Sequence, residues 1–196
     1  MLTKGHHFPA VTLVAVIDTD AMLFSADFRG EERTAQLLTQ VAGRAGRSGM
    51  PGRVILQTRY PDHPAMRAML SATYAEQAAL LLQGREAAGL PPAGQLVIVR
   101  SDCTEAACGE QFLQELRAAV EARLPTGAAL IGPLPSPMQR RAGKFRSQLL
   151  LTAHSRGAAQ RAAALLVRAA DGMRTERSRS WRDLKWTIDI DPLEVF

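Results

Sequence analysis

The stretch A-V-T-L-V-A-V-I-D, residues 10–18, is a nearly unbroken run of β-branched and apolar side chains that ends on an acid. It does not alternate, so it fits a buried parallel strand covered on both faces. Working outward, Ala35, Leu38, Val41 and Ala42 recur at helical spacing and predict a helix over 31–42. R-V-I-L-Q-T at 53–58 reads as a second strand. Strand, helix and strand in that order predict a parallel β-α-β unit. Asp62 and Pro64 open a mostly helical stretch that runs to Ala88, where Gly89 and the Pro91-Pro92 pair stop it.

Beyond the proline pair the order changes. A strand at 95–100, a helix at 105–124, strands near 128–132 and at 145–153, a helix at 155–170 and a strand at 184–190 predict a split β-α-β-β-α-β domain. Phe112, Leu116, Val120 and Leu124 line one face of its first helix, and Ala158, Ala162, Leu165, Leu166 and Ala169 one face of its second. Residues 133–143 carry three prolines and two arginines with no apolar period, which predicts an exposed loop. The expected fold class is α/β: a parallel β-α-β part over 1–60, a helical connector over 61–92, and a small α+β domain over 93–196.

The composition narrows the function classes. The chain has 196 residues, 46% of them hydrophobic, yet no apolar run approaches the ~18 to 20 residues a bilayer span needs. Lys4, His6, His7 and Pro9 precede the first apolar run, which ends in Asp18 and Asp20 without a small-residue cleavage pattern, so the start does not read as a signal peptide. The expected location is the cytoplasm. Cys103 and Cys108, the only thiols, have no partnering Cys or His pair and do not make a zinc arrangement; they read as reduced bystanders. The net charge of +5 is concentrated, because residues 138–185 hold twelve Lys and Arg against Asp171, Glu176 and Asp183. A polyanionic partner follows from that distribution.

The strongest local signal is Q-V-A-G-R-A-G-R, residues 40–47, at the end of the first helix. Arg44 and Arg47 stand three apart, so both guanidinium groups can aim at one anion, and Gly43 and Gly46 leave room for close approach. A phosphate is the natural target, against the plainer alternative of a basic helix end satisfied by its own dipole. Farther along, Arg140, Arg141, Lys144 and Arg146 surround Phe145, a pairing suited to single-stranded or branched DNA: cations hold phosphates while a ring accepts a base. A second run of Arg174, Arg177, Arg179, Arg182 and Lys185 includes Trp181. For Phe145 and Trp181 alike, burial in the core is the competing reading.

Four stretches arrive in sequence: K-G-H-H-F-P at 4–9, V-I-D-T-D at 16–20, L-F-S-A-D-F-R at 23–29 and Q-V-A-G-R-A-G-R at 40–47. Their order resembles the fifth and sixth motifs of superfamily 2 helicases, and their wording resembles the primosomal replication-restart helicases. The resemblance continues through L-P-P at 90–92, R-R-A-G-K-F-R at 140–146, Ser155-Arg156 and the terminal W-T-I-D-I-D-P-L-E. It therefore covers nearly the whole chain. It implies that residues 1–60 are the C-terminal part of a second RecA-like helicase lobe, and that 93–196 bind DNA and partners.

Carried over position by position, the resemblance implies that Arg47 is an arginine finger, Arg44 a second contact to the γ-phosphate, and Gln40 a coupling residue. A finger of this kind is worth ~10³ to 10⁵ in rate. Lys4, Gly5 and His7 correspond to the motif between nucleotide and DNA backbone, although many related helicases carry Asp where His7 stands, and His6 and His7 read equally as loop histidines. Arg156 and Gln160, four apart on one helix face, correspond to the residues that receive the acidic, apolar tail of single-stranded-DNA-binding protein. Forked DNA and other primosome proteins complete the implied partners. ATP and Mg²⁺ are implied cofactors of a longer protein, as is zinc, for which this chain shows no ligand set. No G-x-x-x-x-G-K-[ST] phosphate loop is present; Ala142-Gly143-Lys144-Phe145 lacks the first glycine and the hydroxyl. The expectation is a helicase fragment without ATPase activity of its own, or alternatively a free-standing basic DNA-binding module.

Overall fold

The computed structural model describes residues 11–25, 27–42, 52–71, 73–176, 181–193 and 195. The fold is mixed α/β and divides into two compact units, Met1–Gln83 and Gly84–Phe196.

In the first unit, β1 (Leu13–Val16) pairs in parallel with β2 (Arg53–Leu56), in register from Leu13 opposite Arg53 to Val16 opposite Leu56. A short helix absent from the sequence reading, α1 (Thr19–Leu23), follows β1, and α2 (Gly30–Ala42) precedes β2. Asp18 starts α1 from the left-handed region, its carboxylate accepting from the Ala21 N–H at 3.2 Å. α2 buries Thr34, Leu38 and Val41, and its Thr34 hydroxyl donates back to the Gly30 carbonyl. Two more helices complete this unit's elements, α3 (Pro64–Ser71) and α4 (Tyr74–Ala87), the second running past its boundary. Thr73 and Glu76 form a reciprocal cap on α4.

The expected burial of both strands is not met. Only Val14 of β1 is buried, while Leu13 and Ile55 are about half exposed and Ile17 more so. Among the described residues the sheet has two strands, and its faces are not covered on both sides by helices as a buried parallel strand requires, so an apolar run long enough for a central strand shows this much surface.

Asp20 joins the two halves of the β-α-β unit. Its carboxylate accepts from the Thr58 hydroxyl and from the Arg59 N–H at 2.9 Å. Those hydrogen bonds, Thr58 first, hold its pKa below the usual carboxylate value.

The second unit runs β3 (Gln95–Cys103), α5 (Ala106–Val120), a 3₁₀ turn, β4 (Ala128–Arg141), β5 (Lys144–Ala153), α6 (Arg156–Glu176) and β6 (Lys185–Ile190). Its four strands form an antiparallel sheet in the order β4-β5-β3-β6. Both helices cover one face. Val97 and Val99 of β3 and Leu149 and Leu151 of β5 meet Phe112, Leu113 and Leu116 of α5 and Ala158, Ala162 and Leu166 of α6 in one core. Alanines on α6 let that helix lie close to the sheet, and Phe112 fills the space beneath α5. Burial over 101–120 recurs almost residue for residue at 151–170, so two strand-helix halves of unlike sequence are packed alike.

Two expectations are corrected here. Residues 133–143 are not a loop: through Arg141 they extend β4, which turns through Ala142 and Gly143 into β5. Both turn residues have positive φ, 49° and 80°, the twist a two-residue hairpin turn needs. Pro133, Pro135 and Pro137 obscured the strand, but β4 is a sheet edge, where a missing N–H leaves no partner unpaired. Cys103 and Cys108 are not reduced bystanders; they form a disulfide, because the bend from β3 into α5 brings their Cα atoms to 6.2 Å.

Two predictions follow from this packing. Phe112→Ala removes a fully buried ring that stands edge-on to Trp181 at 5.6 Å, and should lower stability by about 3–5 kcal/mol. Urea unfolding followed by tryptophan fluorescence reads this directly, since the only tryptophans, Trp181 and Trp186, belong to the second unit. For Asp20, a folded-state pKa below the unfolded value of 3.8 contributes stability that is present above that value and lost as pH falls through the lower, folded one. Asp20→Asn should therefore be less stable than wild type at neutral pH, with the difference shrinking as pH falls below 3.8 through the lower, folded value; urea unfolding followed by circular dichroism at neutral and acid pH measures both.

Candidate nucleic-acid interface

The arm made by the far ends of β4 and β5 gathers the basic cluster read from the sequence. Arg140 opposes Phe145 and Arg141 opposes Lys144 across the turn. The Arg140 guanidinium lies over the Phe145 ring, 5.2 Å from its centroid, so one cation is already stacked on the aromatic face. Arg140 and Arg141 are exposed, while Lys144 and Phe145 are half-buried. Phe145 thus resolves neither as core nor as a fully free ring: its face carries Arg140, and a base would add to that stack or displace it.

Arg146 has a different place. Its Nε donates to Asp102 at 3.1 Å, across the β3–β5 ladder where the two residues oppose each other. With its side chain 18% exposed, Arg146 anchors the base of the arm. Arg100 makes the matching pair with Asp189 of β6, also at 3.1 Å. The first tie holds the root of the arm to β3, and the second joins β3 to β6.

The arm's other strand is irregular. From Ile131 to Leu134, β4 advances three residues while β5 advances two, and from Pro135 to Arg140 it advances five against two. Bulges of this kind bend and twist an edge strand. Arg117 of α5 fixes the first irregularity by donating to the Gly132 carbonyl while it binds Glu121. The Glu121 hydrogen bond raises the Arg117 pKa, and the same contact lowers that of Glu121. Nothing in the sequence marked Arg117 or Asp102, because each acts on a residue far away along the chain.

The start of α6 presents Arg156 and Gln160, both exposed and one turn apart. Ser155 caps the helix, its hydroxyl accepting from the Ala158 N–H at 3.2 Å. An Arg and an amide on one helical face, with solvent around both, suit a carboxylate. Trp181 belongs to the core, 5% exposed and packed on Phe112, so its stacking on a base is ruled out; its indole N–H has no hydrogen-bond partner among the described residues.

In the first unit, Gln40 is exposed in the last turn of α2. Arg44, Arg47, Gly43 and Gly46 lie outside the described residues, as do Lys4, Gly5, His6 and His7, and Arg177 and Arg179 of the second basic run. Among the described residues, no group of three or more His, Cys, Asp and Glu could hold a metal ion. With Cys103 and Cys108 bonded to each other, these residues do not fit a thiolate zinc site. No helix is long and apolar enough to cross a membrane among the residues described.

Comparison with known proteins places these features in a family context. The family described as "Primosomal protein N C-terminal domain" matches residues 86–193. The chain is 40% identical over 195 residues to a protein of Haemophilus influenzae named replication restart protein PriA, covering 100% of this chain and 26% of that protein. Proteins of the same name from Synechocystis and Treponema pallidum are 40% identical over 151 residues and 34% over 200; the matches cover 77% and 100% of this chain, and 18% and 28% of those proteins. The chain spans about a quarter of the length of the relatives it matches in full.

Proposed function

Because this chain belongs to the primosomal protein N C-terminal domain family, we propose that it is the C-terminal part of an ATP-dependent 3′ to 5′ DNA helicase that assembles the primosome and restarts replication at stalled forks. The observation that carries this reading is the basic arm, in which Arg140, Arg141 and Lys144 flank a cation-stacked Phe145 on an anchored hairpin. Single-stranded DNA is bound by this combination of phosphate-holding cations and a ring that accepts a base.

Residues 1–60 act as the rear of a second RecA-like lobe, 61–92 as a connector, and 93–196 as a split β-α-β-β-α-β domain for DNA and partners. Arg47 serves as arginine finger and Arg44 as a second γ-phosphate contact, in the stretch of sequence that follows α2. Lys4, Gly5 and His7 lie between nucleotide and DNA backbone. When bound, ATP and Mg²⁺ supply the phosphoryl group and its charge neutralisation; this chain's part is to stabilise charge on that group, which has no effect unless the remaining protein holds the nucleotide. The chain by itself therefore binds DNA without hydrolysing ATP. The Arg156 guanidinium and Gln160 amide receive the terminal carboxylate of the single-stranded-DNA-binding protein tail. Zinc, where the longer protein carries it, is held by residues other than these. The setting is the cytoplasm.

A second reading, a free-standing basic module that recognises branched DNA without ATP, is favoured by one feature: residues 84–196 form a compact unit around a core of their own. The two readings part on whether the reading frame upstream encodes a phosphate loop.

On the proposed reading, Arg140→Ala should weaken binding of single-stranded DNA several-fold and reduce the slope of log affinity against log salt by about 0.7, the share of one phosphate contact. Arg156→Ala should leave that binding unchanged while abolishing capture of an acidic, apolar tail peptide. Fluorescence anisotropy with labelled oligonucleotide and labelled peptide measures both; an unaltered salt slope in Arg140→Ala contradicts the role given to the arm.

A further inference from the structure

The Cys103–Cys108 bond lies at the root of the arm. Cys103 is the last residue of β3, and its ladder partner is Phe145. Past that pair β5 continues with β4 alone into the turn. Opposed residues of antiparallel strands share a face, so Cys103 and Phe145 lie on the side that carries α5 and α6. Cys108 sits in the first turns of α5, and the disulfide fastens the end of the strand to the start of the helix.

Weaker ties meet at the same place. The Ser101 hydroxyl donates to the Gly109 carbonyl at 3.1 Å, and Asp102 holds Arg146. A Cβ at Gly109 would stand 2.8 Å from that hydroxyl, so the helix approaches the strand as closely as a glycine allows. Cys103 is 2% exposed and Cys108 only partly buried. A reagent therefore reaches the bond from the Cys108 side.

We propose that Cys103–Cys108 is a redox-sensitive clasp: closed, it fixes the end of β3 and with it the root of the basic arm; opened by a dithiol, it lets the root loosen and weakens the arm's hold on DNA. The second half of this inference rests on the reading that the arm contacts DNA. In the opening step one thiolate of the dithiol attacks Cys108 Sγ, the Cys103–Cys108 bond breaks, and Cys103 leaves as a thiolate that takes up a proton. The second thiol of the dithiol then loses its proton and attacks its own mixed-disulfide sulfur. This releases Cys108 as a thiolate and leaves the reagent as a disulfide, two electrons having passed to the protein. A disulfide oxidant reverses both steps.

The test uses wild-type chain in two states, treated with dithiothreitol or with oxidised glutathione and then desalted, with free thiols counted by maleimide mass shift. Hydrogen exchange over residues 138–146 and anisotropy with a labelled single-stranded oligonucleotide are read on both, beside Cys108→Ser and Arg140→Ala. The expected result is no free thiol in the oxidised chain, slower exchange in the arm, and DNA affinity about threefold to tenfold higher than in the reduced chain, the scale of re-ordering one or two long side chains. Cys108→Ser should match the reduced state under both treatments. Two reactive thiols after oxidation, or equal arm exchange in the two states, overturns the clasp. A difference in exchange with DNA affinity unmoved by both oxidation and Arg140→Ala overturns the DNA reading and leaves the clasp standing.

Discussion

The antiparallel ladder between β3 and β5 is the constraint on which the second unit depends. It runs without interruption from Gln95 opposite Ala153 to Cys103 opposite Phe145, and each feature of the candidate interface is placed from it. Its inner face supplies Val97, Val99, Leu149 and Leu151 to the core beneath α5 and α6. Its outer face pairs Asp102 with Arg146. Where it ends, the arm begins. A slip of one residue would turn Val97, Val99, Leu149 and Leu151 away from α5 and α6, so the position of Arg140, Lys144 and Phe145 is fixed by packing many residues away.

Much of this fold was legible because its signals are local. Helical spacing of Phe112, Leu116 and Val120, and of Ala158, Ala162 and Leu166, identified the faces that are buried. The strands at 95–103 and 144–153 carry enough apolar residues to announce themselves. The edge strand was not legible, since prolines that argue against a central strand are tolerated where one side of the ladder is empty. The expected burial over 11–18 failed for the opposite reason: the pattern describes a strand covered on both faces, and among the described residues β1 pairs with β2 alone and keeps much of its surface.

The candidate site divides in the same way. Charge clustering around Phe145 is a property of seven consecutive residues and could be read directly, as could the spacing of Arg156 and Gln160. What the sequence could not distribute was role. Arg146, one of four similar cations in that cluster, is held by an acid forty-four positions earlier, whereas Arg140 is turned onto the ring. Trp181 stood in a basic run yet faces Phe112. Asp20 could be read as part of V-I-D-T-D but not as a link, because its partners, Thr58 and Arg59, reach it only after β1 and β2 have paired.

On the proposed function, the arm is where DNA is held. Forked DNA carrying iododeoxyuridine in its single-stranded branch, irradiated on the chain and mapped by peptide mass spectrometry, examines that contact itself. The expected adduct is on the peptide containing Phe145, with none on the exposed face of α5; adducts confined to other elements, with 140–146 unlabelled, would contradict it.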